Sequence, residues 1–223
     1  SMPISLHYIL AKLIIWYSTT RTDKTKYLGL IIDDKLSWKP HIDELCNKLI
    51  KYAGIFHRIK HHLPDNIKRQ LYFSFVYSRI SYGIEIFGMA NKTTVKPLQI
   101  MQNRILKALY NKPRRYGTTA LYQELQLLNI PNIFATKMYI LVYKYVNNLL
   151  PPIFDSIFRP HNISCHPTRH NLFTVSRPKT WHGSLLLNNR ACKLWQGLNS
   201  DIKNSKTLSI FKRTIKNYML SEQ

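Results

Sequence analysis

"YLGLIIDDKLSWKPHI", Tyr27 to Ile42, decides how the rest of the chain is read. From Thr25 to Ile32 the residues turn apolar and β-branched, which reads as a short strand. Asp33-Asp34-Lys35 then interrupts the run with turn-forming residues. Ser37 offers a helix cap, Pro40 is tolerated in a first helical turn, and Asp43 and Glu44 suit the positive end of a helix dipole. The stretch therefore predicts a strand, a turn and a helix start in succession. Two adjacent aspartates also invite a second reading, a pair of metal-binding carboxylates. Two-metal chemistry needs a third carboxylate from a separate strand, and only Asp23 lies nearby, so the turn reading is preferred.

Working downstream, Ile42, Leu45, Leu49, Ala53, Phe56 and Ile59 recur at spacings of three and four, which predicts a helix to about His62 with one apolar stripe. Leu63-Pro64-Asp65 ends it. A second helix is expected to bury Ile67, Leu71, Phe75 and Ile80, with Gly83 and Gly88 loosening its end. Thr94 is read as the cap of a third helix reaching Tyr110. Its buried face would be Leu98, Met101, Ile105 and Leu109, with Gln102, Arg104 and Lys107 off that face, and Pro113 as its stop. Thr118 to Leu128 and Asn132 to Leu150 read as a short and a longer helix, the latter closed by Pro151-Pro152. From Pro151 to about Trp181 prolines and histidines break any period, which predicts an extended segment. Two helices follow, Ala191 to Leu198 and Leu208 to Leu220. The last is capped by Ser205 or Thr207 and apolar at Leu208, Phe211, Ile215 and Tyr218. The expected fold class is mainly α: a helical bundle preceded by a short β element, then an extended Pro/His-rich segment and two C-terminal helices.

Composition limits what such a bundle does. The 223 residues are 45% hydrophobic, enough for a packed core and against wholesale disorder. Against 11 Asp and Glu stand 33 Lys and Arg, a net charge of +22, and an excess of that size repels itself unless a polyanion lies close. The acids are unevenly placed, with none between Glu85 and Glu124 and none between Asp155 and Asp201. The implied partner is RNA, DNA or an RNA–DNA hybrid rather than a membrane. Ile4 to Trp16 is too short to span a bilayer and lacks the features of a signal peptide. Ser1-Met2 reads as a cloning remnant. Three widely spaced cysteines, Cys46, Cys165 and Cys192, do not form a disulfide framework, which fits an intracellular protein, nuclear or cytoplasmic.

Phosphate binding needs Lys and Arg on rigid helices. The segment from Lys112 to Gly117, with Lys112, Arg114 and Arg115, closes a helix that also carries Arg104 and Lys107. A second candidate is Arg58 and Lys60 with Lys68 and Arg69, around the first helical bend, and Arg169, Arg177 and Lys179 lie in the second acid-free stretch. The bland readings are cations complementing a helix C-terminus and a solvated bend. His161, Cys165, His166 and His170 crowd four possible ligands into ten residues, but no second pair stands at zinc-site spacing, so no metal or other cofactor is expected. Neither a nucleophile elbow nor a phosphate-binding glycine loop is present, and no catalytic residue is assigned.

Five blocks together resemble, in order, the region after the palm in reverse transcriptases of non-LTR retrotransposons, the LINE or jockey-like class. They are "KYLGLIIDDKLSWKPHI" (26–42), "LYFSFVYSRISYGIEIFG" (71–88), "LQIMQNRILKALYN" (98–111), "LYQELQLLNIP" (121–131) and "RPKTWHGSLLLNNRACKLWQGLNSDIKNSKTLSIFKRTIKNYML" (177–220). The resemblance implies that Tyr27-Leu28-Gly29 is the primer-grip element, that the following helices form a thumb over template-primer, and that the rest belongs to the C-terminal region. It divides the chain into a non-family segment 1–24, a primer-grip-like element 25–36, a thumb-like bundle 37–150, a linker 151–182 and a C-terminal helical region 183–223. The catalytic aspartates of the family lie upstream of the primer grip, and their motif does not occur before Tyr27. The isolated chain is therefore expected not to polymerise, with a separate palm-containing chain as one partner. An alternative reading makes it a retained fragment that self-associates or binds another protein.

Overall fold

The computed structural model describes residues 22–158, 179, 183 and 186–222. The chain divides into two compact units, one of residues 23–136 with 216–223 and the other of 1–22 with 137–215.

The first unit opens with two antiparallel strands, β1 (Lys24–Tyr27) and β2 (Leu30–Asp33), paired from Lys24↔Asp33 to Tyr27↔Leu30. The expected single strand from Thr25 to Ile32 is thus a hairpin. Leu28 and Gly29, at φ 44° and 82°, form its two-residue turn, which needs positive φ at both central positions. Leucine rarely takes the first of these, so the apolar side chain hid the turn. A two-stranded ribbon is marginal alone, and this one is seated by Leu30 and Ile32, both buried.

Helix α1 (Lys39–Ile59) follows as predicted and buries Ile42, Leu45, Leu49, Ala53 and Phe56. Its N-cap is Trp38, in the left-handed region and without a side-chain cap. The Ser37 hydroxyl accepts from the Lys39 N–H instead (3.3 Å). A 3-10 turn (Lys60–His62) closes α1, and Leu63 and Pro64 adopt extended backbone before α2 (Asp65–Leu71).

Next comes a π turn, Tyr72–Tyr77, running into α3 (Ser78–Ser81). Tyr72, Val76 and Ile80, spaced four apart, form its buried stripe, so Ile80 is buried as expected, while Phe75, expected in the core, is 41% exposed and Ile67 and Leu71 are half-buried. Gly83 (φ 67°) breaks the helix before the short α4 (Ile84–Phe87). A Cβ on Gly83 would lie 2.9 Å from a Leu30 methyl, so a glycine seats the hairpin as well as turning the chain.

Helix α5 (Lys92–Leu109) packs along α1 and starts two residues before Thr94. Leu98, Ile105, Leu106 and Leu109 are fully buried. So is Gln102, which the sequence placed off the buried face. Its Nε2 donates to the Tyr72 hydroxyl (2.8 Å) and to the Leu128 carbonyl (2.9 Å), satisfying a polar side chain inside the core. Gln99 repeats the device, with Nε2 donating to the Tyr122 hydroxyl and Oε1 accepting from the Ile130 N–H, both 2.8 Å. These bonds fix α6 (Thr118–Leu125) and the start of α7 (Ile130–Val146) against α5. Helix α6 ends before Leu128 because Gln126 turns left-handed at φ 50°.

The second unit holds α8 (Leu187–Gly197), α9 (Ser200–Lys203) and the start of α10 (Leu208–Ser221), where Phe211 is buried. Tyr143 stacks on Phe211 with centroids 4.2 Å apart, Trp195 lies 6.0 Å away, and the Tyr143 hydroxyl donates to the Ser205 carbonyl (2.7 Å). Thr207, not Ser205, caps α10, accepting from the Ile210 N–H at 3.3 Å. Helix α9 was not foreseen; Asn199 caps it by accepting from Asp201 N–H. The extended segment 151–182 begins with a 3-10 turn, Pro152–Ser156, and lies mostly outside the described residues.

Candidate nucleic-acid interface

The hairpin tip presents the first candidate element. Tyr27 is 46% and Leu28 71% exposed, and the Tyr82 hydroxyl donates to the Leu28 carbonyl (2.7 Å), tying the turn to the end of α3. At the other end of the hairpin, the Asp33 carboxylate is buried and accepts from the Ser37 N–H (3.1 Å) and the Trp38 N–H (3.0 Å). Burial works to raise its pKa, but these hydrogen bonds outweigh burial and hold it below the usual carboxylate value. Asp34 is exposed and its N–H closes the hairpin onto the Asp23 carbonyl (3.0 Å). The opening pair of aspartates is thus a turn and a capping acceptor.

An open groove of about 320 Å³ lies beside the tip, lined by Gly29, His41, Glu44, Lys48, Arg79 and Tyr82 among others. Burial lowers the His41 pKa against the opposing pull of Glu44, so the ring is neutral at pH 7. Its Nδ1 accepts from the Ile31 N–H (3.4 Å) and its ring lies 4.9 Å from that of Phe87. Glu44 is held by Lys48 in a close ion pair and by Lys26 at 3.7 Å.

The second candidate is the basic end where α1 and α5 terminate together. Lys60 Nζ, just past α1, donates to the Asn111 side chain just past α5 (2.8 Å), joining residues 51 positions apart. Lys68 Nζ lies over the Tyr110 ring at 5.8 Å and pairs with Asp65 at 2.9 Å. Lys107 Nζ donates to the Arg114 carbonyl (2.9 Å), pinning the loop after α5. Residues that the sequence offered as two separate clusters therefore meet around one loop, 110–117.

Within that cluster the cations divide. Lys112 pairs with Glu124 (2.5 Å) and lies 4.9 Å from the Tyr116 ring centroid, while the Tyr116 hydroxyl donates to the same carboxylate (2.9 Å). The hydrogen bond to Glu124 raises the Lys112 pKa, and the bonds from Lys112 and Tyr116 lower that of Glu124. Arg69 donates to the Leu125 (2.6 Å) and Gln126 (3.3 Å) carbonyls, filling the acceptors left at the C-terminus of α6. By contrast, the Arg58, Arg104, Arg114 and Arg115 guanidinium groups are exposed and have no partner among the described residues. Such groups keep all five donors for an outside acceptor.

Lys179 is exposed, and Arg169 and Arg177 lie outside the described residues, as does the His161–His170 run. Burial pushes the thiol of Cys46 up to about 11 and that of Cys192 to about 12, so both stay protonated at neutral pH and neither is a ready nucleophile. Among the described residues no helix is long and apolar enough to cross a membrane. The tether from Tyr82 to Leu28 and the meeting of Lys60 with Asn111 escaped the sequence because nothing local links residues more than fifty positions apart.

No protein-family model and no solved structure matches this chain. Two curated proteins of Drosophila melanogaster do. A probable RNA-directed DNA polymerase from transposon BS is 29% identical over 107 residues, 47% of this chain and 12% of that protein. A probable RNA-directed DNA polymerase from transposon X-element is 24% identical over 108 residues, again 47% of this chain and 12% of the relative. The chain is thus related in sequence to transposon RNA-directed DNA polymerases, and the match spans about an eighth of their length.

Proposed function

We propose that the chain is the thumb and C-terminal part of a non-LTR retrotransposon reverse transcriptase and that it holds template-primer or element RNA through backbone phosphates. The observation that carries this is the convergence of Lys60, Lys107, Arg114 and their neighbours on loop 110–117, with exposed arginines that have no protein partner among the described residues. The names of the two relatives support it. Rigid helices position the cations, and phosphates supply the missing acceptors. Binding of this kind is electrostatic and tolerant of sequence, with non-specific Kd values of about 10⁻⁴ to 10⁻⁶ M at physiological salt.

Tyr27, Leu28 and Gly29 take the primer-grip role in this reading. Their turn is held by Tyr82 from behind, leaving Tyr27 and Leu28 free to meet a primer strand. Polymerisation would need carboxylates other than Asp33, whose oxygens are committed to the Ser37 and Trp38 amides. The test is fluorescence anisotropy of the chain with labelled RNA–DNA hybrid, duplex DNA and single-stranded RNA across a salt series. A steep log–log salt dependence is expected, and absence of binding at low salt would end this reading.

A second reading is self-association through the hairpin tip, favoured by the 71% exposure of Leu28 at the turn of a ribbon that has only two strands among the described residues. Sedimentation over a concentration and salt series distinguishes it, since a salt-insensitive dimer lost in Leu28→Asp would support it.

A further inference from the structure

One aromatic residue of the π turn Tyr72–Tyr77 faces outward. Phe75 is 41% exposed, and its ring lies 5.5 Å from that of Tyr52 on α1 at an interplanar angle of 32°. Arg79 lies 5.3 Å from the Tyr52 centroid and donates to the Tyr52 hydroxyl at 2.8 Å. Ile55, one turn beyond Tyr52, is 49% exposed, and Lys51 and Arg58 are exposed on either side of it along α1. An aromatic pair, a stacked guanidinium and two further cations therefore share one surface of the first unit. π turns are uncommon and concentrate at functional sites, and this one leaves a large apolar ring exposed.

We propose that Tyr52, Phe75 and Arg79 form a stacking platform for the unpaired bases of a single-stranded nucleic acid. The proposal rests on the nucleic-acid reading above and adds which form of the polymer this surface takes. The exposed face of Phe75 offers a base a flat apolar partner, which every base accepts because every base has a π face. Arg79, already oriented by the Tyr52 hydroxyl, keeps donors for a phosphate or a base edge, and Lys51 and Arg58 continue the positive charge along α1. The surface is complementary in charge to a polyanion, which selects nucleic acid over an apolar protein segment. From Tyr52 to Lys60 the rise along α1 is about 12 Å, so a strand leaving loop 110–117 reaches the platform within a few nucleotide steps.

The test compares short single-stranded RNA, blunt RNA–DNA hybrid and the same hybrid with a single-stranded extension, by anisotropy, for the native chain and for Phe75→Ala and Phe75→Trp. Phe75 is surface-exposed, and circular dichroism with thermal melting checks that each variant keeps its fold. The expected result is a loss of about tenfold in affinity for the single strand and the extended hybrid in Phe75→Ala, restoration in Phe75→Trp, and no change for the blunt hybrid. If the native chain binds the blunt hybrid but Phe75→Ala leaves the single strand unaffected, the platform is wrong and the phosphate reading stands. If the native chain binds none of the three, both fall. A change in oligomeric state with unchanged single-strand affinity would overturn the platform in favour of a protein contact.

Discussion

The two ends of the first unit treat charge in opposite ways. At the hairpin, Asp33 is buried and both of its oxygens accept from backbone amides, so its charge is spent on shaping the chain. At loop 110–117, Lys112 and Arg69 are spent in the same manner, on Glu124 and on helix-end carbonyls, but Arg104, Arg114 and Arg115 are left over. The lesson is that a charged residue's partners separate folding from function better than its type does. Lys112 and Arg114 are two positions apart in a single basic run, yet among the described residues only Lys112 has an acid to answer it.

The contrast predicts a graded series of effects on stability. Gly83→Ala should be the most damaging, because the new methyl meets Leu30 at 2.9 Å and the residue must hold φ 67°. A loss of about 2–4 kcal/mol is expected, read as a lowered denaturation midpoint in urea. Asp33→Ala follows, at about 2 kcal/mol, since it leaves the Ser37 and Trp38 amides without their acceptor. Asp33 also sets a pH dependence. Its folded pKa lies below the unfolded value, so its contribution is present above about pH 4 and is lost as pH falls through the folded pKa. Melting temperature against pH should therefore fall less steeply in Asp33→Asn as pH drops below about 4.

Gln102→Leu should cost about 1–2 kcal/mol by stranding the Tyr72 hydroxyl and the Leu128 carbonyl. Adding Tyr72→Phe should recover part of this, a coupling that a double-mutant cycle measures. Glu124→Gln is expected to shift the melting point little, because its ion pair with Lys112 is exposed. Replacing Arg104, Arg114 and Arg115 by Gln should leave stability unchanged, which separates this end of the molecule from the hairpin.

The sequence revealed the parts of the fold whose partners are near in sequence. The α1 stripe from Ile42 to Phe56 is buried as its spacing predicts, because a regular helix turns periodicity directly into a face. It did not reveal the turn at Leu28-Gly29, where leucine takes a backbone region that favours other residues. Nor did it reveal the exchange of Phe75 for Val76, since adjacent apolar residues both suit a core and only the packing of Tyr72, Val76 and Ile80 decides between them. Gln102 is buried because Tyr72 awaits it from another helix, a fact absent from α5 itself. The basic residues were visible as a set, but dividing them required knowing that Glu124 reaches Lys112 across twelve positions.

The proposed binding rests on arginines that have no partner among the described residues, and the salt dependence of binding measures them most directly. RNA–DNA hybrid should be titrated against the native chain and the Arg104, Arg114 and Arg115 to Gln variant at several salt concentrations. A steep slope that falls by about three in the variant, one for each lost phosphate contact, is the predicted result. An unchanged slope, or no binding by the native chain at low salt, would contradict it.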